Sequence, residues 1–465
     1  MALTANSDRA GAFEQPQSKT NPAADASEAM QEIDRLVCLA TNAQRSIVEL
    51  DDRRLDAVAV ALVETFRRDQ QRWAERELAA TRIGNLTDKT HKLGLVLNEV
   101  MQGLYGARTI GRIGEGQSSI EYAAPIGVVF AVSPLTNPVP NSLFKALLCL
   151  KTRNALIVSY PRGAAMLGDE VVATIQGVLA KEGLPGGLVQ SCTAPSREKT
   201  HHLMRHEGVQ MILATGGSQL VREAYSSGKP AFGVGPGNVP AYIAKSADLD
   251  RAARDIVRGK SYDNGIVCGS ESNIVVHPAV REAFVEALGK AGARVITPSE
   301  VETVVPALFD VEKGSLKREL IGVDGPTLAA QAGISGEGVK VLVLPLTHGT
   351  YPFLTREKMA PLLTLSVAGP NDGIDLSAEL LLKEGAGHTA VIHSTDLAEI
   401  DRYARIMPVG RILTNTSATH GMLGESADIP ISFMQGSGTW GGNSSTEPIS
   451  WRHLVNTKRL AFGRR

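Results

Sequence analysis

Seven consecutive small or apolar residues, Ile126-Gly-Val-Val-Phe-Ala-Val132, constrain this chain more than any other stretch. A run with no polar alternation is apolar on both faces, which predicts a strand buried on both sides, as inside a parallel sheet. Ser133-Pro-Leu-Thr-Asn137-Pro-Val-Pro140 then makes a rigid turn into helical sequence over 142–150. The same cycle returns at 155–159 with a helix over 164–182, at 187–191, and at 209–214 with a helix over 220–226. Strands joined by helices of this length form right-handed βαβ units, and so a doubly wound α/β sheet.

A second α/β region follows. A strand at 241–243, a helix over 251–257 and a loop holding Cys268 lead to a strand at 273–276 and a helix over 280–291. Further strands are expected at 339–344, 362–367, 389–393 and 411–415. Helices precede the first sheet. One is expected to be capped by Ser27 with Met30, Ile33, Val37 and Leu39 inward, and another carries Leu55, Val58, Val60, Leu62 and Phe66 on one face. A third is expected over 93–104. Residues 1–26 are small and polar and are expected to form a mobile tail. The alternation at 118–122 reads as a strand, and the glycine-rich C-terminal stretch with Trp440 is too apolar for a free tail.

Hydrophobic residues make up 43% and charged residues 21% of the 465, as in a soluble globular protein, and the net charge of −1 gives no pull toward nucleic acid or an anionic membrane. No apolar run is long enough to span a bilayer, and the N-terminus has no signal-peptide core. Cys38, Cys149, Cys192 and Cys268 are scattered without metal-ligand spacing, which argues against both a disulfide framework and a metal site. A reduced, cytoplasmic enzyme is the expectation.

Cys268 lies on a turn of small residues, Ser261-Tyr-Asp-Asn-Gly-Ile-Val-Cys268-Gly-Ser270, where a substrate can reach a thiol. By itself it reads equally as a small buried hydrophobe. Thr215, Gly216, Gly217 and Ser218 stand between a buried strand and a helix start, where free N–H groups favour a phosphate. A second glycine-rich loop runs from Gly233 through Gly235 and Gly237 to Pro240.

Taken together, Thr136-Asn-Pro, Phe144-Lys-Ala-Leu, Lys151-Thr-Arg-Asn154, Ala214-Thr-Gly-Gly, Tyr225-Ser-Ser-Gly-Lys-Pro230, Gly235-Pro-Gly-Asn-Val-Pro240, Asp263-Asn-Gly-Ile-Val-Cys268, Gly387-His-Thr389, Trp440-Gly-Gly-Asn-Ser444 and His453-Leu-Val-Asn-Thr-Lys458 resemble the CoA-acylating branch of the aldehyde dehydrogenase superfamily. The likeness extends in order from about residue 30 to the end. It implies two Rossmann-like domains and a small β oligomerisation element. The NAD(P)-binding domain would comprise 27–106 and 124–234, and the catalytic domain 235–430. The oligomerisation strands and arm would be 107–123 and 431–465, in a homodimer or homotetramer.

The resemblance also implies roles. Cys268 would be the nucleophile, and Asn137 would hold the oxyanion together with the Cys268 N–H. Thr215, Gly216, Gly217, Ser218 and Gly235 would lie along NAD or NADP, and Glu357 would hold the nicotinamide ribose. Ser159 falls near the adenosine ribose, with Arg162 close enough to accept a 2′-phosphate.

One departure is informative. Hydrolytic relatives carry a water-activating glutamate where this chain has Val234, and valine cannot take a proton. The implied reaction is aldehyde + CoA + NAD(P)+ to acyl-CoA + NAD(P)H, with acetaldehyde or sulfoacetaldehyde as substrate and succinate semialdehyde also met in the branch. A hydrolytic enzyme using another base such as Glu271, an acyl-phosphate reductase, and a non-enzymic scaffold are the alternatives. An anionic substrate would need cationic or hydroxyl donors, for which Thr416-Ser-Ala-Thr-His420 is the candidate loop.

Overall fold

Two parallel sheets carry the molecule, and both grow from the apolar runs described above. A computed structural model describes residues 22–463, apart from 117, 347–350 and 370. The first sheet has five strands, all parallel, in the spatial order Val189–Ser191, Ala155–Ser159, Val128–Val132, Met211–Thr215, Ala231–Val234. Val128–Val132 is central and buried throughout. Chain order reverses on either side of it, which opens a crevice at the C-terminal ends of Val128–Val132 and Met211–Thr215.

The second sheet has seven parallel strands, ordered Ala293–Val295, Val341–Pro345, Leu362–Val367, Glu271–Val276, Val239–Ile243, Gly387–His393, Val409–Thr414. A three-stranded antiparallel sheet joins Gly111–Glu115, Ser119–Pro125 and Val455–Ala461, so the C-terminal strand returns to pair with Ser119–Pro125.

The helices differ from expectation in instructive ways. The first begins at Pro22, ahead of Ser27, and residues 1–21 of the expected tail lie outside the described residues. It turns Ile33, Val37 and Ala40 inward, leaving Met30 and Leu39 exposed, because small Ala40 lets the helix pack closely on the sheet. Val60 is likewise exposed. A helix at Gln70–Thr81 had no sequence signal, since it buries only Trp73, Ala74, Glu77 and Thr81. The expected 93–104 helix starts earlier, at Leu86, and contains a π-turn over Val96–Val100. Trp440 is 54% exposed in the single chain. No described helix is long and apolar enough to cross a membrane.

Pro138–Lys151 is buried along its whole length and places Leu143, Phe144 and Leu147 in the main core. Leu147→Ala is expected to cost about 2–5 kcal/mol, the usual range for an uncollapsed leucine cavity, read as a lowered denaturation midpoint.

Candidate active site

The two large sheets meet at a turn of four residues. Ala231–Val234 ends the first sheet, Val239–Ile243 begins the second, and Gly235-Pro-Gly-Asn238 runs between them. A side chain at Gly237 would collide with the Cys268 carbonyl oxygen, so the loop passes directly against the backbone of the cysteine turn. Asn238 adopts a left-handed φ of 41°. Its amide donates to the Glu384 carbonyl at 3.1 Å and its side-chain oxygen accepts from Asn273 at 2.8 Å. The Gly237 N–H donates to Glu357 Oε1 at 3.0 Å, which brings Glu357 to the same turn as Cys268.

Cys268 is half-buried, whereas Cys149 and Cys192 are buried and Cys38 is exposed. Burial pushes the Cys268 thiol up to about 12 and the Glu357 carboxylate adds to the rise, against the Arg411 guanidinium and the backbone N–H groups of Cys268 and Gly269. Burial also lifts Glu357 to about 7, opposed by the Gly237 N–H and the Lys260 ammonium. A protonated thiol therefore rests beside a carboxylate able to accept a proton near neutral pH.

Two further groups surround this pair. His388 is buried, its Nδ1 lies 3.0 Å from Thr389 Oγ1, and its Nε2 has no partner. Burial and the Arg411 charge hold it down to about 3, so it is a neutral imidazole. Arg411 is buried and donates to Thr389 Oγ1 at 3.4 Å, to the Thr446 carbonyl at 3.1 Å and to the Gly436 carbonyl at 2.6 Å. It has no carboxylate partner among the described residues, and its positive field falls on Cys268. Gly387-His-Thr389 had stood out as a motif without a role; Arg411 carried no signal, because its burial depends on the C-terminal arm folding back.

Asn137 caps Pro138–Lys151 with φ −158° and ψ 56°, yet its side chain makes no capping hydrogen bond. That amide is half-buried and its NH2 donates to no described protein acceptor, which leaves it available to a ligand oxygen.

At the crevice of the first sheet, Thr215 ends the strand Met211–Thr215 and Gly217 caps the helix Ser218–Tyr225 without any side-chain cap. Open space lies where a Gly217 or Gly235 side chain would project. Free N–H groups at a helix start in an uncrowded crevice fit a pyrophosphate. Lys145 is an unforeseen neighbour. Fully buried, it bridges the crevice by donating to the Val132 carbonyl at 2.8 Å and to Thr215 Oγ1 at 3.2 Å, and burial brings it down to about 7. Ser159 ends its strand with its side chain buried, and Arg162 lies exposed just beyond.

Other candidates are committed elsewhere. Glu271 is wholly buried and its Oε1 accepts the Ala418 N–H at 2.6 Å, so this carboxylate caps the helix Ala418–Met422. Thr416, Ser417, Thr419 and His420 are buried, with hydroxyls bonded to Ser426, His420 Nδ1 and the Gly259 carbonyl, which leaves the loop few donors for an anion. Asp34, His202 and His206 form one cluster of metal-ligating types among the described residues. There, however, His206 Nδ1 accepts the Gly208 N–H at 3.0 Å, which puts the proton on Nε2, the atom a metal would need.

Residues 6–317 match the aldehyde dehydrogenase family. Sulfoacetaldehyde dehydrogenase (acylating) of Cupriavidus necator is 34% identical, over 95% of this chain and 91% of its own. Succinate-semialdehyde dehydrogenase (acetylating) of Clostridium kluyveri is 32% identical, over 92% and 95%. Aldehyde-alcohol dehydrogenase 2 of Entamoeba histolytica is 35% identical over 81% of this chain, which spans 45% of that relative's length. Among solved structures, an acetylating aldehyde dehydrogenase from Geobacillus thermoglucosidasius superposes with a TM-score of 0.90 at 34% identity, covering 95% of this chain and 98% of that one. A Rhodopseudomonas palustris propionaldehyde dehydrogenase with bound CoA and an acylated cysteine gives 0.84 at 25% identity, over 92% and 97%. The chain belongs to the aldehyde dehydrogenase family, in its acylating branch.

Removing the negative charge beside the thiol favours the thiolate. Glu357→Gln is expected to speed alkylation of Cys268 by iodoacetamide at pH 8, measured by mass spectrometry; an unchanged or slower rate would contradict the electrostatic assignment.

Proposed function

We propose that this chain is an acylating aldehyde dehydrogenase, converting a short-chain aldehyde, CoA and NAD(P)+ to acyl-CoA and NAD(P)H. The observation that carries the reading is Val234. It closes its strand with the side chain buried, at the position where water activation would require a carboxylate, while Glu271 is taken up by the Ala418 helix.

In this reading the Cys268 thiol gives up its proton, with Glu357 as the nearby acceptor, and the sulfur attacks the aldehyde carbon. The Asn137 amide and the Cys268 N–H stabilise the alkoxide of the resulting thiohemiacetal, a type of contact worth about 3–4 kcal/mol in related sites. NAD(P)+ would supply the hydride acceptor when bound, and Gly216, Gly217 and Ser218 would hold its pyrophosphate, with Thr215, Gly235 and Glu357 alongside. Ser159 and Arg162 lie toward the adenosine ribose, where a 2′-phosphate would meet the exposed guanidinium. Loss of hydride leaves a thioester on Cys268. The CoA thiolate then attacks that carbonyl, Cys268 leaves as the thiolate, and the proton held by Glu357 returns it to the resting thiol. His388, neutral and with Nε2 bonded to no described residue, can hydrogen-bond the CoA thiol in the same corner, although burial and the Arg411 charge make it a weak proton acceptor.

Acetaldehyde and sulfoacetaldehyde are the leading substrates. The Cupriavidus relative supports the second, and the Clostridium relative adds succinate semialdehyde. The antiparallel sheet formed with Val455–Ala461 presents a row of exposed residues, which supports assembly as a homodimer or homotetramer. A hydrolytic reading is favoured by one observation, the basic Glu357 carboxylate next to Cys268.

The two readings separate in steady state. With a panel of acetaldehyde, sulfoacetaldehyde and succinate semialdehyde, NAD(P)H formation is expected to continue only when CoA is present. Equal turnover without CoA would mean that Glu357 activates water. Asn137→Ala is expected to lower kcat about 10²–10³-fold with CoA KM unchanged, measured with the preferred aldehyde.

A further inference from the structure

Four charged side chains are buried together between the Asn137 turn and the Cys268 turn. Glu77 is 1% exposed, Lys89 1%, Lys92 2% and Asp263 0%. Lys92 Nζ pairs with the Asp263 carboxylate and also donates to the Thr136 carbonyl at 3.1 Å. Lys89 Nζ donates to the same carbonyl at 3.4 Å, pairs with Glu77 Oε1 at 3.1 Å and lies 3.8 Å from Asp263 Oδ2. Glu77 Oε2 accepts the Val139 N–H at 2.9 Å. Two ammoniums and two carboxylates leave the cluster neutral, the condition under which buried charges are tolerable.

Its contacts bracket residue 137. The carbonyl before Asn137 is held by two lysines, and the first N–H after it, that of Val139 beyond Pro138, is taken by Glu77. Asparagine at a helix start ordinarily spends its own side chain on such an N–H. Here Glu77, from a different helix, does the capping, and Asn137 keeps its amide free. The other end of the cluster grips the cysteine turn. Asp263 and Asn264 have left-handed φ of 44° and 54°, five and four residues before Cys268. Asp263 Oδ1 accepts the Asn85 N–H at 2.9 Å, and its own N–H donates to Asp88 Oδ2 at 2.7 Å.

We infer that Lys92, with Glu77, Lys89 and Asp263, is a positioning device that ties the turn carrying the Asn137 amide to the turn carrying Cys268 and so sets the geometry of the two oxyanion donors. The inference rests on the proposed reaction. It assigns the cluster no contact with substrate, only control of where Asn137 stands relative to the sulfur. A shift of about 1 Å between such groups lowers a rate about 10²-fold.

The test measures the first-turnover NAD(P)H burst without CoA in the full-length protein. Lys92→Met/Asp263→Asn is the main variant: it leaves Glu77 and Lys89 as a neutral pair, keeps a residue tolerant of the left-handed turn at 263, and removes the tie. The burst rate is expected to fall about 10²-fold, with NAD(P)+ binding and Cys268 alkylation unchanged. Lys92→Arg, which preserves the charge, is expected to lose less. Adding Asn137→Ala to the double variant is expected to cost nothing further, because both changes remove the same contact.

A burst equal to wild type in the double variant, or a full additional loss on adding Asn137→Ala, would overturn the inference alone. No burst from the wild-type protein with any aldehyde of the panel would overturn the dehydrogenase reading, and the inference with it.

Discussion

Gly237 passes against the carbonyl of Cys268, backbone to backbone, with no room for a side chain. Much of the site's geometry depends on that contact. It joins the loop leaving the first sheet to the turn bearing Cys268, so the crevice of the first sheet and the Cys268 thiol are held at one seam. The Gly237 N–H then fixes Glu357, and the Asn238 side chain anchors the loop to Asn273 and to the Glu384 carbonyl. Local strain at φ 41° for Asn238 is held by those hydrogen bonds.

Charge is arranged around this seam with unusual economy. Among the described residues, Arg411 and Lys145 are each buried without a carboxylate partner, and His388 is neutral. Positive field from Arg411 offsets the negative field of Glu357 at the sulfur. The thiol rests protonated, and a substrate or cofactor that alters the surroundings of Glu357 changes the balance. Val234 completes the logic. In the proposed reaction, valine at this position leaves the thioester without a base for water from that loop, and a thiol nucleophile becomes the natural acceptor.

Parallel sheets were legible in the sequence because strands such as Val128–Val132 and Ala155–Ser159 are buried on both faces and announce it residue by residue. The cysteine turn and the glycine loop were legible as motifs. What escaped were interactions between distant segments. Glu77 and Lys92 look like surface charges along a helix, and only the packing of three chain segments buries them. Lys145 hides in an apolar helix, and Arg411 needs the C-terminal arm over it. Trp440, in an arm read as too apolar for a free tail, stands on the surface of the single chain. The polar loop Thr416–His420 offered hydroxyls for an anion, but the fold uses them internally.

The central claim is that a thioester forms on Cys268 and waits for a thiol. Intact-protein mass spectrometry after mixing enzyme, NAD(P)+ and aldehyde without CoA tests it most directly. The account predicts a stable increase of one acyl group per chain, mapped to Cys268 and discharged on adding CoA. An adduct that disappears by itself at the rate of turnover, or one that forms on another residue, would contradict it.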